Sequence, residues 1–420
     1  MKNSRLLTIF LIVFVDLLGF SLILPLLPYY AESFGATPVI VGLLVASYAA
    51  AQLIGAPLLG RLSDRIGRRP VLLLSVTGTF LGFILLGLAD PLGRLLAGLA
   101  SSQSANAFII AVLFFSRILD GLTGGNLTVA QAYIADVTDE ANRAKSLGLI
   151  GAAFGLGFIL GPAAGGVLSQ WGYSVPAFTA ALVSALNLPA IFFLLESLSS
   201  ESRENLVTHQ RPPFTLRALL VVLKSPKVGP LLHVRLFYGL AFATFQSIFS
   251  LYSQSIGLSS QTTGFVLAYV GVLSVITQAG LIGPLTRRFR ETWLIISGLW
   301  VMGIFLLAWA FTTQLWLLLV VILPLSLSGS VLNTVIQSSI SKSVSRDEIG
   351  GILGISTSLE ALTRVVAPSV GGFLLGSIGQ WAPGVFTAIL MAWAVSFAYR
   401  HISIPARRTR LEAETEGSYA

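Results

Sequence analysis

The sequence contains no cysteine and very little charge. Its 420 residues include no Cys and three His, so disulfides, thiolate metal sites and a cysteine nucleophile are excluded, and a histidine metal cluster is not expected. Charged residues make up 10% of the chain and hydrophobic residues 55%, whereas soluble domains are about 25% charged and about 45–50% apolar. So little charge excludes a soluble enzyme, a disordered chain and a nucleic-acid-binding protein.

Motifs that power or catalyse reactions in membranes are also missing. The sequence has no GxxxxGK[ST] phosphate loop, so ATP-driven transport by this chain is not expected. It has no HExxH or GxSxG motif, which argues against an intramembrane enzyme. No filter loop or charged ring of the kind found in ion channels stands out. We therefore expect neither enzymatic activity nor a cofactor.

Apolar residues are gathered in twelve runs, each close to the 20 residues or so that a membrane-spanning helix needs. Lys2 and Arg5 precede the first run as they would in a signal peptide. That run is too long for a signal peptide and lacks a cleavage site, so we interpret it as an uncleaved span. The predicted spans are 6–28, 38–59, 70–89, 106–134, 144–169, 173–195, 228–252, 261–285, 292–311, 314–340, 350–377 and 383–402. The predicted fold class is an all-α membrane protein with twelve transmembrane helices.

Basic residues fall on one side of these spans. If both termini are cytoplasmic, 22 of the 26 Lys and Arg residues lie in inner segments, and one, Arg94, lies in an outer loop. The other three, Arg117, Arg235 and Arg364, lie within spans. This bias is the positive-inside signal, so the net charge of +8 reflects topology. We expect a multi-pass protein of the plasma (inner) membrane, in contact with lipid, with both termini cytoplasmic.

The chain divides into two similar halves. Residues 196–227 are polar and interrupted by proline, and their last part, TLRALLVVLK, predicts a short amphipathic helix at the inner surface. Pro162 in the fifth span and Pro368 in the eleventh lie in matching segments 206 residues apart. Parallel six-span repeats are typical of one large class of transporters. The predicted domains are the six-helix bundles 1–195 and 228–402, the central linker 196–227 and a disordered cytoplasmic tail, 403–420.

The inner loop between spans two and three carries the most specific motif. It places an acid and several arginines between two glycines in the pattern GxxxDRxGRR. A plain positive-inside loop would need the charge but not this spacing. The motif residues are Gly60, Asp64, Arg65, Gly67, Arg68 and Arg69. This pattern resembles the signature of the major facilitator superfamily, and the resemblance implies two pseudo-symmetric six-helix bundles.

Further segments resemble the drug:proton antiporter branch of that superfamily. Span four has Arg117 followed by regularly spaced glycines, and the first span around Asp16 looks like that of tetracycline-exporter relatives. Span five carries an antiporter-like packing motif made of Gly151, Gly155, Gly161, Pro162, Gly165 and Gly166. The sequence departs from the tetracycline exporters in the third span, where they carry an aspartate at about the position of Gly82. This departure argues against tetracycline as the substrate and leaves an antiport mechanism open.

Charged residues inside spans are the candidates for proton coupling. A charge at the bilayer centre costs about 2.5–3.5 kcal/mol on insertion scales, so its presence suggests a function and a partner. Asp16, near the middle of the first span, could load a proton from one side and release it to the other. An interhelical hydrogen bond is the alternative. The resemblance implies that Arg117 assists proton coupling. The candidates are Asp16, Arg117, Asp120, Glu360 and Arg364.

Four of these five charged residues form two pairs along the sequence. Asp120 follows Arg117 by three residues, and Arg364 follows Glu360 by four, a spacing that favours contact on a helix. Each pair is either a structural ion pair or a gating pair that separates on protonation. Arg235 lies near the end of span seven and is expected to extend its side chain towards the interface.

A conformational latch is predicted at the inner end of span four. Asp136 in the segment AYIADVTDE resembles a family residue that pairs with the arginine-rich loop, and Arg68 or Arg65 is the expected partner. Exposed ion pairs contribute little individually. The latch therefore requires several charges to act together between the two halves.

Polar and aromatic side chains on apolar helices are candidates for a substrate cavity. Any one of them alone is better explained as an interhelical hydrogen bond or as packing. Together they suggest a mostly apolar pocket with few orienting groups. The candidates are Tyr48, Gln52, Gln131, Phe245, Gln246, Phe249, Asn333 and Gln337.

The sequence predicts a secondary active transporter that works by alternating access and uses the proton gradient as its driving force. Proton-coupled export of an amphipathic drug-like or metabolite substrate is the first interpretation, with Asp16 alternating between proton and substrate. A proton-coupled importer or facilitator of a small metabolite is the second. A membrane enzyme or a non-transporting sensor is the third. The expected partners are a small-molecule substrate, protons and membrane lipids, with no nucleic acid, and a monomeric state is expected.

Overall fold

The computed structural model describes residues 2–138, 140–194, 221–344 and 349–403, and within these ranges regular structure is entirely helical. Twelve helical segments of the described chain are long and apolar enough to cross a membrane. The predicted all-α class and the twelve spans are confirmed. The second span runs to Ile66 rather than to residue 59, because the turn that ends it comes only at Gly67, whose φ of +103° is readily adopted by glycine.

The first half of the chain has nine α-helices among its described residues. They are α1 (Lys2–Ile23), α2 (Leu27–Glu32), α3 (Pro38–Ile66), α4 (Arg68–Gly87), α5 (Ala89–Leu99), α6 (Ala105–Thr123), α7 (Asn126–Val137), α8 (Glu140–Leu168) and α9 (Ser174–Pro189). Proline marks two of the starts: Pro28 follows Leu27 in α2, and Pro38 opens α3, where its missing N–H is not needed. The residues after α4, expected to form a loop, instead form α5, which packs Gly93 against Ile109.

Seven α-helices follow among the described residues of the second half. They are α10 (Gly229–Ser255), α11 (Ser260–Ile276), α12 (Ile282–Arg288), α13 (Glu291–Ala310), α14 (Leu315–Lys342), α15 (Ile349–Ser377) and α16 (Ala382–Ala398). Pro162 and Pro368, which the repeat aligns, both lie inside helices of 29 residues, α8 and α15. The predicted amphipathic helix begins in residues outside the described ranges, as does most of the predicted tail.

Large apolar side chains cover the outside of many spans. Phe193, Leu186 and Trp316 have exposed fractions of 78%, 65% and 63%. A soluble protein rarely exposes contiguous apolar surface of this kind. In a bilayer the same side chains contact lipid, and the helices satisfy their own backbone hydrogen bonds as that environment requires.

Contacts divide the chain into two compact units. Unit 1 contains Met1–Arg211 and Ile248–Val272, and unit 2 contains Pro212–Ser247 and Leu273–Ala420. The end of α10 and most of α11 thus group with the first six spans. The predicted domain boundaries at 195 and 228 remain a prediction.

Hydroxyl groups hold the α11 segment within unit 1. The Tyr29 hydroxyl donates to the Leu258 carbonyl at 3.0 Å and lies 2.7 Å from the Thr263 hydroxyl. The hydroxyls of Ser169 and Ser260 are 2.8 Å apart. These bonds tie the ends of the first and fifth spans to the start of the eighth.

Unit 1 contains an apolar core in which residues of spans one to six meet. Its largest fully buried member is Tyr133, which is 1% exposed. The core consists of Ile9, Ile12, Val13, Leu17, Leu59, Val71, Leu72, Val76, Val129, Ala130, Tyr133, Ile134, Ile150, Ala153 and Ile191. Asp16 is on α1 beside this core, so its carboxyl has apolar neighbours on one side.

Candidate functional site

Span four is not a continuous helix. α6 ends at Thr123, α7 begins at Asn126, and two glycines separate them. The freed carbonyls find donors on neighbouring spans: Gln52 Nε2 donates to the Gly124 carbonyl at 3.0 Å, and the Ser75 hydroxyl donates to the Thr123 carbonyl. An interrupted helix within a membrane is tolerated where such partners replace the lost backbone bonds. This interruption is the structural centre of the candidate site.

Glycine is required at the interruption because α3 packs directly against it. A Cβ added at Gly125 would lie 2.7 Å from the Leu59 side chain, and one added at Gly121 would overlap the Tyr48 carbonyl. Small residues allow such close approach of two membrane helices. The regularly spaced glycines of span four, Gly121 and Gly125, therefore allow span two to pack against the point where span four is interrupted.

Asp16 lies beside the start of α7. Its half-buried side chain and Asn126 line one small cavity, and the Asn126 amide is close enough to interact with the Asp16 carboxyl. The cavity measures about 10 Å³, the space of about one water molecule. It is lined by Ile12, Val13, Asp16, Leu72, Val76, Asn126, Leu127 and Ala130. A negative charge is favoured at the amino end of a helix, so the start of α7 is a favourable neighbour for the Asp16 carboxylate.

Arg117 and Asp120 form a buried ion pair on α6, one turn before the interruption. Arg117 Nη1 lies 3.1 Å from Asp120 Oδ2, and the two side chains are 4% and 3% exposed. Arg117 Nη2 also donates to the Ser116 hydroxyl at 3.2 Å, and the guanidinium carbon lies 5.4 Å from the centre of the Phe83 ring. Arg117 Nε is buried and has no hydrogen-bond partner. The pair is closed to the surface, and Asp120 is near enough to Asp16 for the two carboxyl groups to interact.

Gly82 lies directly against Asp120. A Cβ added at Gly82 would be 3.0 Å from Asp120 Cβ and 3.3 Å from the Ser116 carbonyl. The side chain that the third span lacks would therefore occupy the space next to the Asp120 carboxyl.

Arg68 of the arginine-rich loop is the best connected of its motif. Its side chain is 5% exposed, with Nε 2.9 Å from Asp136 Oδ2 and Nη1 bonded to Asp64 and, at 2.7 Å, to the Ser63 hydroxyl. The Arg69 guanidinium bonds to the Phe192 carbonyl and lies 4.7 Å from the centre of that ring. Arg65 is exposed. These contacts connect spans two, three, four and six of unit 1, and the latch between halves remains a prediction.

The glycines of the span-five motif play different roles. An added Cβ at Gly161 would overlap Ser21, and one at Gly165 would overlap the Leu22 carbonyl, so both allow α1 to lie close to α8. The Ser21 hydroxyl donates to the Gly157 carbonyl at 2.7 Å. A Cβ added at Gly166 would instead lie 3.1 Å from the Gln261 backbone. A Cβ added at Gly151 in α8 would meet nothing within 4 Å, and one added at Gly60, which lies within α3, would be 3.8 Å from the Thr128 side chain.

Unit 2 contains a second buried cluster of charge. Arg235 Nη2 lies 2.8 Å from Glu360 Oε2, and Arg235 Nη1 donates to Asn333 Oδ1 at 2.7 Å. Arg364 Nη2 lies 2.5 Å from the other oxygen of Glu360. Arg235 was expected to extend towards the interface, but its side chain is 7% exposed and held in this cluster. Its partners come from α14 and α15, far away in the sequence.

The cavity candidates are distributed over both units, and the cavity that they would line remains a prediction. Phe245 and Phe249 are buried, and Phe245 packs edge-on against Trp309, so in this structure both contribute to packing. Gln131 and Gln246 are exposed. The Tyr48 hydroxyl accepts from Gln52 at 3.1 Å, which places both beside the interruption of span four. Asn333 belongs to the charged cluster of unit 2. The Gln337 amide oxygen is buried without a hydrogen-bond partner.

Sequence reasoning missed Asn126 and the helix interruption. The signal was present, since two consecutive glycines followed by asparagine in an otherwise apolar helix are typical of a break. Among the described residues, no group of three or more His, Asp or Glu side chains is placed to hold a metal ion.

The chain is similar to known transport proteins along its whole length. It is 31% identical over 418 residues to the Tetracycline resistance protein, class C, of Escherichia coli, covering 97% of both chains. It is 31% identical over 359 residues to Solute carrier family 22 member 18 of Mus musculus, covering 84% of this chain and 85% of that protein.

Solved structures share the fold. The human organic anion transporter MFSD10 (TETRAN) is 24% identical with a TM-score of 0.65, over 94% of this chain and 99% of that one. The D-xylose-proton symporter is 17% identical with a TM-score of 0.73, over 95% and 98%. The family model of the Major Facilitator Superfamily matches residues 9–292 and 231–418. Twelve membrane-spanning helices and these matches make the chain a membrane transporter and not an enzyme, and it belongs to the major facilitator superfamily.

Proposed function

We propose that this protein exports an amphipathic drug-like or metabolite compound in exchange for protons. The observation that carries the proposal is the position of Asp16, which faces Asn126 at the interruption of span four inside a unit that also contains the buried Arg117–Asp120 pair. Acids inside a membrane are costly and mark proton or substrate pathways. The relatives named for tetracycline resistance support an exporter over an importer.

In the proposed cycle Asp16 binds a proton from outside and gives it up on the inside, while substrate moves the opposite way by alternating access of the two halves. Arg117 attracts the negative charge of Asp120 and leaves Asp16 as the unpaired acid of the site. A carboxyl without an arginine partner can become neutral without leaving a buried charge uncompensated. The protein lies in the inner membrane as a monomer with both termini cytoplasmic. The proton gradient drives transport, and no cofactor is needed.

The test measures proton movement in everted membrane vesicles energised by respiration. Tetracycline, ethidium, rhodamine 6G and fluorescein serve as probes, and a pH-sensitive dye reports the proton gradient. We expect at least one probe to dissipate the gradient with wild-type protein and none to do so with Asp16→Asn. Asp90→Asn is the matched control, since the Asp90 side chain is 41% exposed and pairs with Arg94.

Two results would contradict the proposal. Undiminished gradient-driven transport by Asp16→Asn would remove Asp16 from the coupling. Probe accumulation in intact cells, rather than in everted vesicles, would make the protein an importer.

A further inference from the structure

The charged cluster of unit 2 carries more positive charge than its own structure needs. The cluster contains two arginines, Arg235 and Arg364, and one acid, Glu360. Arg235 alone neutralises Glu360, and Asn333 satisfies part of the remaining donor capacity of Arg235. With both arginines charged, the cluster has a net charge of +1.

Nothing else in the described part of unit 2 compensates this charge. The described residues of the unit contain two acids, Glu291 and Glu360. Glu291 is bonded to Lys342 at 2.5 Å and to the hydroxyls of Ser338 and Ser339 at the end of α14. The surplus charge of the cluster is therefore not balanced by a further carboxylate within these ranges.

The surplus charge is at the accessible end of the cluster. The side chain of Arg235 is 7% exposed, that of Glu360 is 33% exposed and that of Arg364 is 57% exposed. Arg364 lies near the middle of α15, where a guanidinium exposed to hydrocarbon would be very costly. An accessible arginine at this depth therefore faces a polar, water-filled space rather than lipid.

The cluster is also held rigidly. Glu360 receives charge-assisted hydrogen bonds from an arginine at each oxygen, so it is fixed as an acceptor and orients both guanidinium groups. A guanidinium has five N–H donors in a planar fork, and one bond to Glu360 leaves most of those of Arg364 available. Such a fork matches a carboxylate or sulfonate in geometry and charge.

We propose that Arg364, supported by Glu360 and Arg235, forms a binding subsite for the acidic group of an amphipathic organic anion. The subsite rests on the proposed export function, because it would hold one end of the exported compound. It assigns to Glu360 and Arg364 a role in substrate recognition in place of proton coupling. The apolar remainder of the compound would lie against the neighbouring spans.

The test measures equilibrium binding without any ion gradient, so it does not depend on proton coupling. Full-length protein in phosphatidylcholine nanodiscs is titrated with fluorescein, an anionic xanthene dye, and with rhodamine 6G, a cationic one, and fluorescence anisotropy gives Kd. Wild-type protein is expected to bind fluorescein more tightly than rhodamine 6G. Arg364→Gln is expected to weaken fluorescein binding about tenfold or more, without weakening rhodamine 6G binding.

Matched variants separate recognition from structure. Arg94→Gln removes an equally exposed arginine that makes the same type of i,i+4 bond, to Asp90 at 2.6 Å, and should leave both affinities unchanged. Arg364→Lys retains the charge but lacks the planar fork, so it should recover only part of the fluorescein affinity. Arg364→Gln keeps the buried Arg235–Glu360 bond, so the folded protein should persist.

Three outcomes would overturn the subsite. They are fluorescein binding no tighter than that of rhodamine 6G, equal effects of Arg364→Gln on both dyes, and equal effects of Arg364→Gln and Arg94→Gln. Loss of the subsite would leave the coupling test on Asp16 untouched, and failure of that test would leave the dye preference measurable.

Discussion

The contact between Gly82 and Asp120 predicts that these two residues can be exchanged. A Cβ at position 82 would lie 3.0 Å from Asp120 Cβ, so Gly82→Asp combined with Asp120→Gly moves the carboxyl from α6 to α4 within nearly the same space. Asp120→Gly alone removes the acid. Gly82→Asp alone places two acids and two Cβ atoms where one of each now fits.

The magnitude follows from burial of the ion pair. In Asp120→Gly the Arg117 side chain, 4% exposed, loses its carboxylate partner Asp120, and breaking a buried pair in this way costs about 3–5 kcal/mol of stability. The exchange removes one helical glycine and introduces another, at about 0.5–1 kcal/mol each, so these backbone effects roughly cancel. The double variant should therefore recover most of the stability that the single variant loses.

Thermal unfolding of the detergent-purified variants measures this recovery, and gradient-driven transport of a probe that the wild type exports measures function. In Asp120→Gly the stability should fall and transport should be lost. In the exchange variant both stability and transport should be largely restored. A double variant no more stable than Asp120→Gly would refute the reasoning, because a carboxyl at position 82 would then not replace the one at position 120. Full coupled transport by Asp120→Asn would refute the need for an acid there.

Two further predictions concern packing around α8. Because the chain has no cysteine and the hydroxyls of Ser169 and Ser260 are 2.8 Å apart, the double cysteine variant should form a disulfide on oxidation that blocks transport until reduced, while each single variant stays active. Gly161→Ala, which overlaps Ser21, should lower stability by about 1–3 kcal/mol. Gly151→Ala, with nothing within 4 Å, should be neutral or stabilising; equal unfolding temperatures for these two variants would contradict the packing assignment.

Hydropathy predicts the spans because it averages over about 20 residues and the membrane imposes one length on all of them. The loop between spans two and three could also be predicted from the sequence, since Gly67 has the positive φ that its place between two helices requires. The helix after α4 could not be predicted in the same way, because α5 packs only small residues such as Gly93 and Ala97 inward and leaves leucines exposed. Asp90, Pro91 and Gly93 are residues typical of loops, although the segment is a short amphipathic helix.

Tertiary partners account for most of the rest. Gln52 was predicted to line a cavity, but its amide donates to a carbonyl freed 72 residues away by the interruption of span four. Arg235 was expected to reach the interface, but its partners Asn333 and Glu360 are 98 and 125 residues away. A polar residue in an apolar helix signals that a hydrogen-bond partner exists. It does not tell whether that partner is substrate, water or the backbone of another span.

Net charge distinguishes the two buried sites better than the presence of polar residues does. In unit 1, Asp16, Asp120 and Arg117 sum to −1 when all are ionised, so that site can accept one proton and become neutral. In unit 2, Arg235, Glu360 and Arg364 sum to +1, so that site can accept one anion. Exchange of an incoming proton for an outgoing monovalent anion would move two charges in the direction that an inside-negative potential favours, each gaining about 2.3 kcal/mol per 100 mV. The proposed charge placement thus couples export to the membrane potential as well as to the pH gradient.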